Sequence, residues 1–450
     1  MDAAIIKSIF KAYDVRGKVG VELTSAVAEQ IGKAMAAWLP NAGPVAVGRD
    51  MRPDSQDLAE ALCRGLRSGG RDVYDIGQVT SDMIYFAVGS LEIAGGVMVT
   101  ASHNPGNYNG IKLCREGARP IGEESGLFEI RDLVIADKFS PATQEGTYTE
   151  KDVVEDWVEH VLSFVDTDKL KPLKISVDAG NGMAGKIFPE IEPFVPFDVV
   201  EMYFDLDGTF PNHIANPLEP KNLVDLQESV IQNGSDAGIA FDGDGDRAVL
   251  IDETGQSISG TVMSALLAKY FLDKTPGATV LFNLICGRAA WETAEKAGGK
   301  VFRTRVGHSF IKADMRTHGA VFAGEHSGHY YFKDNFNADS GLIAATIALY
   351  ILSLSGKKMS ELVKDLREAY VDIPETNFEV EDKSAMIQKI AAKFNDGSQD
   401  VLDGLTVNYH DCWFNVRPSN TEPLLRLNAE AKTQETLDEL VAKVKEVIKS

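Results

Sequence analysis

Short apolar runs and longer amphipathic stretches take turns along most of the chain. Segments such as GPVAVGRD, GGVMVTAS, LKISVDAG, AGIAFDGD, AVLID and ATVLFNL have the length and apolar content of buried strands. Stretches such as SAVAEQIGKAMAAWL and GTVMSALLAKYFL are long enough for helices. This alternation predicts an α/β protein. Three polar connections, Ser140 to Asp152, Asp252 to Gly260 and the stretch around Val371 to Thr376 with its Pro374, divide it into four units, 1–143, 144–251, 252–370 and 371–450. The last unit changes texture. Its amphipathic KSAMIQKIAAKF, short strands around LTVNYH and WFNVRPS, and charged helix TQETLDELVAKVKEVIKS predict a smaller C-terminal α+β domain. No fixed-period sequence repeat is visible, although repetition of the α/β units does not require one.

Composition narrows the function. A length of 450 residues gives a soft expectation of roughly three domains. A formal net charge of -22 repels DNA, RNA and anionic lipid before any specific contact forms, so an anionic substrate needs a locally positive pocket. Cys63, Cys114, Cys286 and Cys412 lie far apart without a CxxC pair, which suggests neither a disulfide framework nor a zinc knuckle and fits a reducing cytoplasm. Lys7 and Lys11 interrupt the first apolar residues, and no run of eighteen uninterrupted apolar residues follows. The expectation is a cytoplasmic protein, neither secreted nor membrane-spanning, and a monomer or weak homo-oligomer.

Four loops carry candidate chemistry. In TASHNPGNYNGIK, a strand delivers Ser102 into a run of His103, Asn104, Pro105 and two glycines, a loop that can expose a hydroxyl. A serine is a poor nucleophile unaided, but a phosphoserine is a phosphoryl donor whose charge nearby cations must offset, and Lys112 and His103 are close by in sequence. In AGIAFDGDGDRAVLID, Asp242, Asp244 and Asp246 alternate with Gly243 and Gly245, a set of carboxylates suited to a hard divalent cation. In AGEHSGHYYFKDNFNADSG, Glu325 and Ser327 suit vicinal sugar hydroxyls and His329 suits proton transfer near neutral pH. Core packing explains Tyr330, Tyr331 and Phe332 equally well. In NVRPSNTEPLLRL, Arg417, Ser419, Asn420, Thr421 and Arg426 gather donors with only Glu422 to counter them, as a phosphate clamp does.

Each loop has a competing reading. An EF-hand would use Asp242, Asp244, Asp246 and Glu253, but its turn glycine is Arg247 here and strands flank the acidic run where helices belong. An acidic turn held by its own hydrogen bonds would pack three carboxylates without a cation, which is costly. A zinc site at the paired histidines lacks evident further ligands. The Arg417 loop also reads as a salt-bridged turn. Finally, Gly180, Gly182 and Gly185 follow a strand in GxGxxG spacing with Glu201 beyond, imitating a dinucleotide fingerprint that leaves the other loops without a joint purpose.

TASHNP, FDGDGDR, GEHSGH and RPSNTEP, in this order and at these separations, resemble the four signatures of the α-D-phosphohexomutase superfamily, and the resemblance spans nearly the whole chain. FKAYDVRG and GRD bring the wording nearest to the bacterial phosphomannomutase/phosphoglucomutase group. The resemblance implies three similar mixed α/β domains and a smaller fourth around a central cleft. It implies a phosphorylated Ser102, Mg²⁺ on Asp242, Asp244, Asp246 and a phosphoserine oxygen, and Glu325 with Ser327 on the sugar's O3 and O4. It makes Tyr13, Arg16, His103, Asn104, Lys112, Arg247 and His308 cleft residues, with Lys112 and His329 the proton-transfer pair. Hexose 6-phosphate and hexose 1-phosphate, of mannose, glucose or both, are the implied substrates, with hexose 1,6-bisphosphate as intermediate and activator. Phosphoglucosamine mutase is the second choice, disfavoured by His326 and Asn420, and a metal-dependent sugar phosphatase or a non-catalytic sugar-phosphate binder are the other classes. Ile285 stands where relatives often carry a substrate-contacting lysine, so that either neighbouring Arg288 compensates or affinity differs.

Overall fold

The computed structural model describes residues 2–139, 142–419 and 424–449, which build four sheets in succession. In the first, Val45–Arg49, Val73–Gln78 and Gly95–Val99 run parallel and Tyr108–Arg115 returns antiparallel beside the third. Their spatial order is second, first, third, fourth in chain order. The second sheet repeats that order with Leu173–Asp178, Phe197–Met202, Ala237–Phe241 and Ala248–Asp252. The third repeats it again with Thr279–Asn283, Lys300–Thr304, Phe322–Gly324 and Tyr330–Phe332. The cause is shared: parallel neighbours need crossover connections, supplied here by helices such as Ser55–Ser68, Ala184–Ile191 and Arg288–Lys296, whereas an antiparallel partner needs only a short loop. The repetition left open by the sequence is therefore structural.

The first sheet reaches past residue 143. Its strand Tyr148–Glu150 joins because the Thr147 and Tyr148 hydroxyls donate to Asp72 (2.7 Å) and Asp75 (2.5 Å). The second reaches past residue 251 through Ser257–Ile258. The fourth sheet is antiparallel, with Leu405–Asn408, Cys412–Pro418 and Leu424–Ala431 at its centre. Helices Lys383–Lys393 and Gln434–Lys449 cover the face carrying Phe414, Val416, Leu425 and Leu427. The other face carries Trp413, Asn415 and Arg417 opposite Glu430, Asn428 and Arg426.

The cores follow the same division. One apolar cluster runs without a break from Met83 and Phe86 through Trp157 and Ile239 to Phe322 and Ile347, joining the first three units. The fourth has a core of its own around Phe414, Leu427 and Val444. Helix Gly341–Ser355 is apolar all round because it lies inside the first of these cores. No single helix among the described residues is long and apolar enough to cross a membrane. All four cysteines are buried and free.

Candidate active site

In each sheet one loop between consecutive antiparallel strands is one of the four picked out from sequence. These loops follow Val99, Phe241, Gly324 and Pro418, whose partners across the ladder are Ile111, Ala248, Tyr330 and Leu425. Strands thus flank the acidic run, as the EF-hand reading forbids, and Glu253 accepts instead from the Ser360 amide at 3.0 Å.

The first three loops meet. Ser102 Oγ donates to Asp242 Oδ2 at 2.7 Å, accepts from Arg247 Nη2 at 3.0 Å and lies 3.1 Å from His103 Nδ1. Ser102 is buried and takes a left-handed backbone conformation (φ 50°), a costly state for a residue with a side chain. Lys112 Nζ bridges Asp244 and Asp246, 2.6 Å from each. Arg247 pairs with Asp242 at 2.8 Å. His329 reaches in from the third loop, its Nε2 3.6 Å from Asp246 and its Nδ1 3.0 Å from Ser327 Oγ. Glu325 is buried and fixed at both oxygens, by Asn283 Nδ2 (2.9 Å) and by the Tyr331 hydroxyl. Tyr330, Tyr331 and Phe332 are all buried, and Tyr331 adds this one polar contact.

The aspartate trio could hold a cation. Carboxylate oxygens of Asp242, Asp244 and Asp246 lie within 4.8 Å of one another, and Asp244 Oδ1 and Asp246 Oδ1 are buried without a hydrogen-bond partner. Burial pushes Asp242 well above the usual carboxylate range despite Arg247, and Asp246 and Asp244 add to the push. Burial and Asp246 oppose ionisation of Asp244, yet Lys112 overcomes both and holds it below its ordinary value. Lys112 is itself held charged: the two aspartates outweigh the burial that would strip its proton. The trio therefore has an ionic balance that is incomplete at Asp242, and its oxygen donors fit a hard divalent ion. A second grouping, Asp246 with His329 and Asp339, shares a carboxylate with the trio, and Asp339 is paired with Lys312 at 2.7 Å.

Other predicted residues surround this centre. Arg16 donates to Asn104 Oδ1 and pairs with Asp14, both at 2.5 Å. Tyr13 crosses to the third unit, donating to the Val306 carbonyl at 3.1 Å and packing its ring near His308 (5.6 Å). Burial and the Lys312 charge lower His308 to about 3. Burial, Arg247 and Arg16 keep His103 well below the ordinary histidine value.

Arg417 and Arg426 lie directly opposite each other on the face that carries Trp413 and Glu430. That face looks toward the third unit: Trp413 packs on Ile285, and Glu430 accepts from the Arg288 amide at 2.9 Å. Ser419 Oγ is 3.3 Å from Arg426 Nη2, while Asn420 and Thr421 lie outside the described residues. The arginines have an acidic partner that the loop sequence did not reveal, Glu375, 2.8 Å from Arg417 and 3.0 Å from Arg426. Arg288 does not stand in for a cleft lysine. Its guanidinium donates to the carbonyls of Tyr409 (2.6 Å), His410 (2.7 Å) and Cys412 (3.2 Å), and Ile285 is an apolar contact between the last two units.

Sequence reasoning missed Arg52 and the start of helix Ser81–Ser90. Arg52, fully buried against Asp50 (3.2 Å), donates to the carbonyls of Ser102 (2.8 Å), Asn104 (2.6 Å), Pro105 (2.9 Å) and Tyr108 (2.9 Å). It ties the strained serine loop from behind. Ser81 donates its amide to the Asp244 carbonyl (2.9 Å) and its hydroxyl to Asp244 Oδ2 (2.5 Å). Asp82 accepts from Thr80 and from Ser340 of the third unit (2.6 Å), and burial raises it to about 7. The GxGxxG glycines have a packing reason instead of a dinucleotide. A side chain at Gly182 would meet the Gly243 backbone at 2.9 Å, and one at Gly243 would meet the Ser102 carbonyl at 2.5 Å, so the acidic loop is wedged between two backbones. A groove of about 1130 Å³ lined by Arg49, Lys151, Lys186 and Phe194 contains none of the candidate residues.

Four consecutive stretches match phosphoglucomutase/phosphomannomutase family descriptions: alpha/beta/alpha domain I over residues 7–140, domain II over 155–255, domain III over 259–370 and the C-terminal domain over 375–447. The chain belongs to the phosphoglucomutase/phosphomannomutase family. Within it, "Phosphohexose mutases" of Xanthomonas campestris is 44% identical over 431 residues, covering 94% of this chain and 95% of that protein. The phosphomannomutase of Escherichia coli K12 is 40% identical over 435 residues and 94% of each chain. A phosphoglucomutase/phosphomannomutase family protein from Burkholderia thailandensis superposes with a TM-score of 0.91 at 34% identity, covering 98% of this chain and 97% of that one.

Proposed function

We propose that this family member is a magnesium-dependent phosphohexomutase that moves a phosphoryl group between O1 and O6 of a hexose through Ser102. The observation that supports it most is the Ser102 hydroxyl, 2.7 Å from an aspartate of a buried carboxylate trio and held in a left-handed conformation. Phosphorylated Ser102 gives its phosphoryl group to the free hydroxyl of a hexose monophosphate: the bond to the serine oxygen breaks, the bond to the sugar oxygen forms, and the hydroxyl proton leaves. The hexose 1,6-bisphosphate so made turns round and returns its other phosphoryl group to Ser102. The same bisphosphate, added in trace amounts, activates unphosphorylated enzyme.

Asp242, Asp244, Asp246 and a phosphoserine oxygen would hold the Mg²⁺, which supplies Lewis-acid stabilisation of charge on the transferred group. Arg247 and His103 sit against the serine oxygen and steady its phosphoryl group. Lys112, held protonated by its two aspartates, acts as proton donor to the departing oxygen, and His329, oriented by Ser327, acts as acceptor on the sugar side. Glu325 and Ser327 take O3 and O4, while Tyr13, Arg16, Asn104 and His308 line the cleft. Arg417, Ser419, Asn420, Thr421 and Arg426 grip the phosphate that is not reacting. The chain then divides near residues 143, 251 and 370, with the Tyr148–Glu150 and Ser257–Ile258 strands completing the sheets before them.

Recognition through O3 and O4 leaves C2 unread, so mannose and glucose phosphates both serve, with kcat/KM values within about a hundredfold of each other. Relatives named phosphomannomutase or phosphohexose mutases at 40% and 44% identity weigh against the glucosamine reading. The deciding experiment is Ser102→Ala. Intact-mass measurement finds a phosphoryl group on the wild type and none on the variant, and isomerisation falls by at least about a thousandfold while sugar-phosphate binding survives. Steady release of inorganic phosphate without isomerisation would instead establish a phosphatase.

A further inference from the structure

The clamp on the fourth unit already holds an anion of its own. Glu375 ends the short connection that follows strand Val371–Asp372, immediately before strand Thr376–Glu379. That strand pairs with Leu424–Ala431, with Asn377 opposite Arg426, which brings the Glu375 carboxylate onto the arginine-bearing face. Oε2 receives Arg417 Nη2 at 2.8 Å and Asn428 Nδ2 at 3.2 Å, and Oε1 receives Arg426 Nη1 at 3.0 Å. One carboxylate thus bridges two guanidinium groups and an amide, as two oxygens of a phosphate would. Arg417 is buried, while Glu375 and Arg426 are part-exposed.

We infer that Glu375 is an internal stand-in for the substrate phosphate, displaced when a sugar phosphate enters and restored when it leaves. The inference rests on Arg417 and Arg426 being the phosphate clamp. The chemistry makes the arrangement useful. A clamp of two unopposed arginines would hold a phosphate dianion tightly, yet the reaction requires the bisphosphate to be released, turned and gripped by its other end. A tethered carboxylate is always present at high effective concentration, so it competes for the arginines and weakens the grip on either phosphate. Glu375 is then a residue that trades affinity for turnover. A purely structural carboxylate, one that merely holds the arginines in place, has the opposite signature, because its loss would weaken phosphate binding.

The test compares the wild-type enzyme with Glu375→Gln and with Glu375→Asp, whose shorter side chain cannot span both arginines. Two readouts are taken: steady-state kinetics with glucose 1-phosphate, and binding of inorganic phosphate by calorimetry. In Glu375→Gln the KM falls about five- to twentyfold and kcat falls with it, phosphate binds tighter by a similar factor, and Glu375→Asp lies between. A KM that rises or stays level, with phosphate binding weakened or unchanged, overturns the inference. If the wild type binds phosphate without isomerising, the mutase reading fails while the calorimetric comparison still decides the role of Glu375. Melting temperatures of the three proteins confirm that each is folded under assay conditions, and a variant that is not folded is replaced by Glu375→Ala.

Discussion

The loops around Ser102 and the strands around Arg417 handle charge in opposite ways. Around Ser102, the aspartate trio, Lys112 and Arg247 come from two different sheets and interlock, the trio and Arg247 buried and Lys112 largely so, over an apolar core shared by three units. Around Arg417, a single small sheet with its own core holds two arginines whose partner, Glu375, is part-exposed. Interactions among desolvated charges are strong but tolerate little rearrangement, whereas a partly wet pair can be exchanged for another anion at low cost. The contrast suits the two tasks: phosphoryl transfer needs groups that do not reorganise, and a bisphosphate that must turn round needs a grip that lets go.

The contrast can be broken or sharpened by substitution. The largest effect is expected at the buried centre: Asp244→Asn removes a carboxylate from the trio and a partner of Lys112, so kcat falls by about 10²- to 10³-fold and the Mg²⁺ concentration for half-maximal rate rises, both read in a coupled isomerisation assay. A kcat loss under tenfold would mean that the trio is not the metal centre. Next comes Arg417→Ala, for which KM for either 1-phosphate rises about ten- to a hundredfold with a smaller change in kcat. An equal loss in kcat would erase the distinction between grip and chemistry. The smallest effect is on stability, at Asp82. Its carboxyl is raised to about 7 in the folded protein from an ordinary 3.8, so the protonated form stabilises the fold fully below pH 3.8 and that contribution is lost as pH climbs toward 7. Asp82→Asn should therefore gain on the wild type between pH 5 and pH 8, by on the order of 1 kcal/mol in urea unfolding. A difference that does not change with pH would show that Asp82 is not protonated in the fold.

Much of the centre was legible because its loops are local. Ser102, the trio, Glu325 and His329 each sit in a short polar stretch between two apolar runs, and such a stretch can be read without knowing what packs against it. The residues that escaped act across long sequence separations. Arg52 works through carbonyls about fifty residues away, and nothing in MRPDS distinguishes it from a surface arginine. Ser81 and Asp82, at the start of a helix, bond to Asp244 of the second unit and Ser340 of the third. Glu375 reads as a linker residue because its partners lie 42 and 51 positions on. The α/β class was visible from the alternation of strands and helices, and the four-unit outline from the polar connections that interrupt it. The common strand order was not, because spacing in a chain carries no record of which strand lies beside which.

The recurring arrangement of strands has an evolutionary side. Each working loop grows from the same corner of its own sheet, which is what repeated copying of one ancestral unit would leave behind. On the mutase reading proposed above, the three corners divide the work: one carries the phosphoryl donor, one the metal ligands, one the sugar contacts. On that reading, substitutions at the third corner would change which hexose is accepted and leave the transfer chemistry of the first two in place, so one scaffold would serve related sugars without rebuilding its catalytic centre.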